Sequence, residues 1–91
     1  MKYDLEWDPA AENELTNIWV PADSDLRLAV TQAAHVIDRL LTKDPLSQSE
    51  SRPDGRRILF ERPLAVTYEV IEESRLVRVL HVWRIKRKSE K

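Results

Sequence analysis

Hydrophobic and polar residues alternate strictly at the start of the chain. Tyr3, Leu5 and Trp7 share one parity; Lys2, Asp4, Glu6 and Asp8 share the other. Period two with one apolar side predicts a half-buried strand. Asp8-Pro9 stops it, because Asp suits a helix N-cap and Pro suits the first helical turn, where its missing N–H costs nothing. Leu15, Ile18, Trp19 and Ala22 then fall at i, i+3, i+4 and i+7, a helical stripe. Pro21 cannot continue a straight helix, so this one should end near residues 19–20. Ala22-Asp23-Ser24-Asp25 offers fresh capping groups. Leu26, Val30, Ala33, Ile37, Leu40 and Leu41 form a second stripe, about four turns long, that stops at Lys43-Asp44-Pro45. So short a connection makes the helices an antiparallel hairpin.

Residues 44–55 are polar and rich in Pro and Ser, a loop inside the domain. Three strands follow, over residues 56–62, 64–71 and 75–85. In the second, Leu64, Val66, Tyr68 and Val70 take one face and Ala65, Thr67 and Glu69 the other. Glu72-Glu73-Ser74 is a tight connection, and neighbours joined by short turns pair antiparallel. The last strand is apolar on both parities apart from Arg78, His81 and Arg84, which predicts a central strand covered on most of both faces and flanked by the first strand. The expected fold is α+β, a two-layer sandwich in the order β-α-α-β-β-β, with a helical hairpin on one face of a mostly antiparallel sheet.

Composition narrows the chemistry. Ninety-one residues suit one domain, residues 1–91. The absence of Cys excludes a disulfide framework, a thiolate zinc site and a cysteine nucleophile. A single Gly excludes glycine-rich phosphate loops. The short apolar runs and a start at Met1-Lys2-Tyr3-Asp4 lead us to expect a cytoplasmic protein with no membrane association. The net charge of −1 hides an asymmetry: residues 1–50 carry four basic and ten acidic side chains, residues 51–91 eleven basic and six acidic. Such a split points to a polyanion-facing or partner-facing surface built from the C-terminal half. Trp7 and Trp19 read as core anchors, while Trp83 suits core packing or stacking against a partner equally well. His35 sits with Thr31, Asp38 and Thr42 on the polar side of the second helix, and no metal-ligand spacing links it to His81.

An ordered set of residues carries a family resemblance. It comprises Trp7-Asp8-Pro9-Ala10, Glu14-Leu15, Ile18-Trp19, Ile37-Asp38, Leu41 and Asp44-Pro45 in the first half. In the second it comprises Arg52, Gly55-Arg56-Arg57, Leu59, Pro63-Leu64-Ala65-Val66-Thr67-Tyr68-Glu69-Val70 and Val77-Arg78-Val79-Leu80-His81-Val82-Trp83-Arg84. The chain thereby resembles the RelE/ParE toxins of bacterial type II toxin–antitoxin pairs. The resemblance implies the fold above and a small acidic antitoxin as partner. One branch of the family cuts mRNA on the ribosome without a metal, another poisons DNA gyrase by binding, and some members have no established activity.

Metal-free cleavage needs a base for a 2′-OH, cations for the scissile phosphate and an acid for the leaving oxygen. For that branch the side-chain chemistry of the basic half offers His81, Arg57, Arg78 and Arg84 as candidate catalytic residues, and Arg56, Arg62, Lys86, Arg87 and Lys88 as candidate RNA-binding residues, with no metal and no cofactor expected. His81, the only imidazole in the basic half, reads as a general acid or base or as a partly buried, hydrogen-bonded strand histidine; Glu61 and Glu69 read as carboxylate bases or as solvated strand charges. Arg78 and Arg84 share a parity on an unbroken strand, so they should project to one face and gather with the other guanidiniums in a hollow around His81. Two features depart from the cleaving branch: Ala65 stands where cleaving members often carry an arginine, and the tail ends without an aromatic. The Leu80-His81-Val82 ending of the last strand is closer to gyrase-directed and unassigned members.

Overall fold

The computed structural model describes residues 2–47, 50–51 (backbone) and 55–86. Strand β1 spans Asp4–Trp7, helix α1 Pro9–Trp19, helix α2 Ser24–Lys43, strand β2 Glu50–Ser51, strand β3 Arg57–Glu61, strand β4 Leu64–Ile71 and strand β5 Leu76–Arg84. The helix starts follow from local chemistry. The Asp8 carboxylate accepts from Ala10 N–H with Pro9 in the first turn, and the Asp23 carboxylate accepts from Leu26 N–H. Helix α1 ends before Pro21, where the Arg27 side chain takes over two of its last carbonyls, those of Trp19 and Val20. The same guanidinium lies 4.2 Å from the Trp19 ring centre. Trp19 is therefore not the core anchor expected: it is 41% exposed, and Ala11, Leu15 and Ile18 form the sheet-facing stripe instead.

The five strands form one mixed sheet in the order β1-β5-β4-β3-β2. Strand β5 is central as expected, parallel to β1 and antiparallel to β4. The helices cover one sheet face. Val30, Ala33, Ile37 and Leu41 of α2 pack with Leu59, Leu64, Val66, Tyr68, Val77, Val79 and Val82 to form the core. Polar hooks join the layers: Trp7 Nε1 donates to Asp38 at 3.1 Å, and the buried Tyr68 hydroxyl donates to the Pro45 carbonyl at 2.5 Å.

The register contains one break, and it decides which residues face outward. Thr67 pairs with His81, yet the next residue, Tyr68, pairs with Val79, so Leu80 is an extra residue in β5. A bulge of this kind shifts the alternation by one beyond it. Val77 and Val79 face the helices before the bulge, and Val82 and Arg84 do so after it. Arg78 stays on the uncovered face. The expectation that Arg78 and Arg84 share a face is thus corrected, as is that of a β5 covered on most of both faces. His81 and Trp83 come out on the open side with Arg78, at 53% and 39% exposure.

Candidate functional site on the open sheet face

Cross-strand pairing arranges the open face in rows about 7 Å apart, two residues along each strand. One row holds Phe60, Ala65 and Trp83, the next Ile58, Thr67 and His81, and beyond the Leu80 bulge the third holds Glu69, Arg78 and Glu6. The first row is aromatic and apolar. Phe60 is 57% exposed, and the small Ala65 between the two rings is fully buried. The third row is ionic. Arg78 Nε lies 2.6 Å from Glu6 and its Nη1 3.2 Å from Glu69. The hydrogen bond and charge of Glu6, more than those of Glu69, hold the guanidinium above its ordinary pKa. Two carboxylates against one guanidinium leave this row net negative.

His81 occupies the middle row, with one ion-pair partner among the described residues. Glu14 Oε1, from α1, lies 3.4 Å from its Nδ1. The same oxygen accepts a hydrogen bond from Val82 N–H at 3.1 Å. The cause is the shortness of β1. Pairing with β1 ends at Val79, with Asp8 N–H on the Val79 carbonyl, while β5 runs on to Arg84. The exposed edge amide of Val82 takes its acceptor from the helix above instead of from a neighbouring strand. Glu14 belongs to the ordered set that carries the resemblance, but the sequence reading gave it no role in the site. Its signal was there: it falls three residues after Ala11 and four before Ile18, so a carboxylate interrupts the sheet-facing stripe of α1.

The other described arginines do not converge on His81. Arg84 turns to the helix side and lines a cleft with Asn17, Ile18, Pro21 and Leu26. Arg57 sits opposite Tyr68 on the helix face of β3 and donates to the Leu46 carbonyl at 3.0 Å. Arg62 and Lys86 meet beyond the aromatic row, Arg62 donating to the Lys86 carbonyl, and Arg56 is exposed just before β3. Glu69 is spoken for by Arg78, and Glu61 pairs with Leu64 on the helix side. Arg87 and Lys88, like Arg52, lie outside the described residues. The expected cationic hollow is therefore corrected to an exposed imidazole with a carboxylate partner, between an aromatic row and an ionic one. His35 lines a separate groove between the helices with Leu15, Trp19, Val30 and Ala34. Among the described residues no three His, Asp or Glu side chains are grouped to hold a metal ion, and no helix is long and apolar enough to cross a membrane.

No protein-family model and no curated protein matches the sequence. Solved structures do. A chain of the toxin–antitoxin complex RelBE2 from Mycobacterium tuberculosis superposes with a TM-score of 0.70 at 18% identity, over 92% of this chain and 99% of that one. A chain of the chromosomal ParDE toxin–antitoxin system from P. aeruginosa gives 0.68 at 22% identity, over 92% and 97%. The isolated E. coli RelE toxin gives 0.64 at 22% identity, over 96% and 88%. The chain has the fold of the RelE and ParE toxins, as its residue pattern led us to expect.

Proposed function

We propose that this protein is the toxin half of a type II toxin–antitoxin pair and that it cleaves mRNA on the ribosome, with His81 as its acid–base group. The observation that carries the reading is the exposed His81, paired with Glu14, on the sheet face opposite the helices, which no other described element covers. An imidazole both accepts and donates a proton, which suits proton transfer at a 2′-OH. In the step it serves, the 2′-oxygen attacks the adjacent phosphorus, its proton passes to His81, and the bond to the 5′-oxygen breaks as that oxygen takes a proton from water. Arg78, on the same face, is the cation placed to steady the phosphate, and the two carboxylates fix its position while offsetting its charge. Arg57 and Arg84 take no part in this version of the step. An acidic antitoxin is the expected partner, drawn to Arg56, Arg62 and Lys86.

Induced expression without a partner tests the proposal. Growth should stop and new mRNA 5′ ends should appear within coding regions. His81→Ala should lower cleavage by about 10²- to 10⁴-fold. Growth arrest with intact mRNA would sink the cleavage step.

A second reading, a toxin that binds DNA gyrase without chemistry, draws on two observations. The cationic charge beside His81 is already offset by Glu6 and Glu69, and Phe60 and Trp83 offer an apolar surface suited to a protein. Inhibition of supercoiling by micromolar protein, with mRNA intact, is its signature.

A further inference from the structure

We infer that Glu14 is a positioning residue for His81: its carboxylate fixes which imidazole nitrogen carries the proton. The argument starts from what surrounds the ring. Thr67, directly opposite in register, has its hydroxyl buried without a hydrogen-bond partner, so the imidazole takes nothing from that side. Glu14 Oε1 lies at the Nδ1 edge, 3.4 Å away. That oxygen is itself held by Val82 N–H, the amide of the residue after His81, so ring and carboxylate are referred to the same stretch of β5 backbone. A carboxylate accepts and does not donate. At 3.4 Å from Nδ1, it favours the tautomer with the proton there and leaves Nε2 as a bare lone pair. Free neutral histidine prefers the opposite form, with the proton on Nε2. A carboxylate or carbonyl on one ring nitrogen is the usual means of setting the chemistry of the other.

The helix stripe supports this assignment. Covering the edge of β5 requires only an acceptor for one amide. A carboxylate that also stands 3.4 Å from the one exposed imidazole of the sheet does more than cover an edge.

The inference rests on the reading of His81 as the acid–base group, but the tautomer can be read with no RNA present. In ¹⁵N-labelled protein near pH 8.5, above the ordinary imidazole range, side-chain ¹⁵N–¹H correlation spectra distinguish the two forms. His35, exposed on α2, is the internal control, and His81→Ala assigns the signals. We expect His81 protonated on Nδ1 and bare on Nε2, with His35 in the ordinary form. Glu14→Gln keeps an oxygen for Val82 N–H, but a neutral one, a weaker acceptor than a carboxylate. It should move His81 part of the way toward the Nε2–H form while preserving cooperative unfolding. Glu14→Ala should move it further. Cleavage should fall by roughly ten- to hundredfold in Glu14→Ala, the scale of losing a partner that orients a functional group. A His81 spectrum matching that of His35, or one unchanged by both substitutions, overturns the inference. A tautomer that responds to Glu14 in a protein that cuts no mRNA overturns the cleavage reading and leaves the positioning role standing.

Discussion

Tyr3 ties the first residues of the chain to the turn before β5. Its hydroxyl donates to Glu72 at 2.6 Å, the Arg75 guanidinium lies 4.2 Å from its ring centre, and Arg75 holds a left-handed backbone at φ 52° whose carbonyl receives Asp4 N–H. The hydrogen bond to Glu72, with burial and the Glu72 charge behind it, raises the phenol above its ordinary pKa. A folded-state pKa above the unfolded one means stability that is fully present below about pH 10 and lost as pH rises through the folded value. The difference in urea midpoint between the wild type and Tyr3→Phe should hold up to about pH 10 and shrink as the pH rises further; a constant difference would show that the hydroxyl contributes nothing through its proton. At this scale the sequence was a partial guide. Tyr3 and Trp7 were legible as inward-facing, because alternation alone places them. Trp19 was not, because its exposure depends on Arg27, a residue of the next helix that reaches back to cap α1.

Helix boundaries were legible because capping is chemistry between residues two or three apart. Asp23→Ala removes the acceptor of Leu26 N–H at the start of α2 and should cost about 1 kcal/mol, read as a lowered urea midpoint with an unchanged slope. An unchanged midpoint would mean that water replaces the cap. Strand faces were less legible. Residues 76–84 show no Gly, Pro or other local mark of the bulge at Leu80, which is visible only in how β5 pairs with β4. That one extra residue separates Arg78 from Arg84 and brings His81 and Trp83 to the face that Arg78 occupies. Glu14 was hidden for a related reason: its role depends on an amide 68 positions away in the chain, left without a strand partner where β1 runs out.

At the scale of the molecule, the order of elements was readable because each is signalled within its own segment, and an ordered set survives in a fold even when single residues do not. The core they share is small, so each large side chain counts. Ile37, fully buried between α2 and the sheet, should cost about 2–5 kcal/mol when replaced by Ala, a large part of the roughly 5–15 kcal/mol that holds such a domain together. A loss under 1 kcal/mol, from chemical denaturation, would show that the layers close over the gap. The placement of β5 between β1 and β4 has a consequence for biosynthesis. The strand that leaves the ribosome last among the five lies inside the sheet, between β1 and β4, so β1 has no strand to join until residue 79 is free of the exit tunnel. A nascent chain can coil its helical hairpin early, yet the surface bearing His81 does not exist until β5 has emerged and joined its two neighbours.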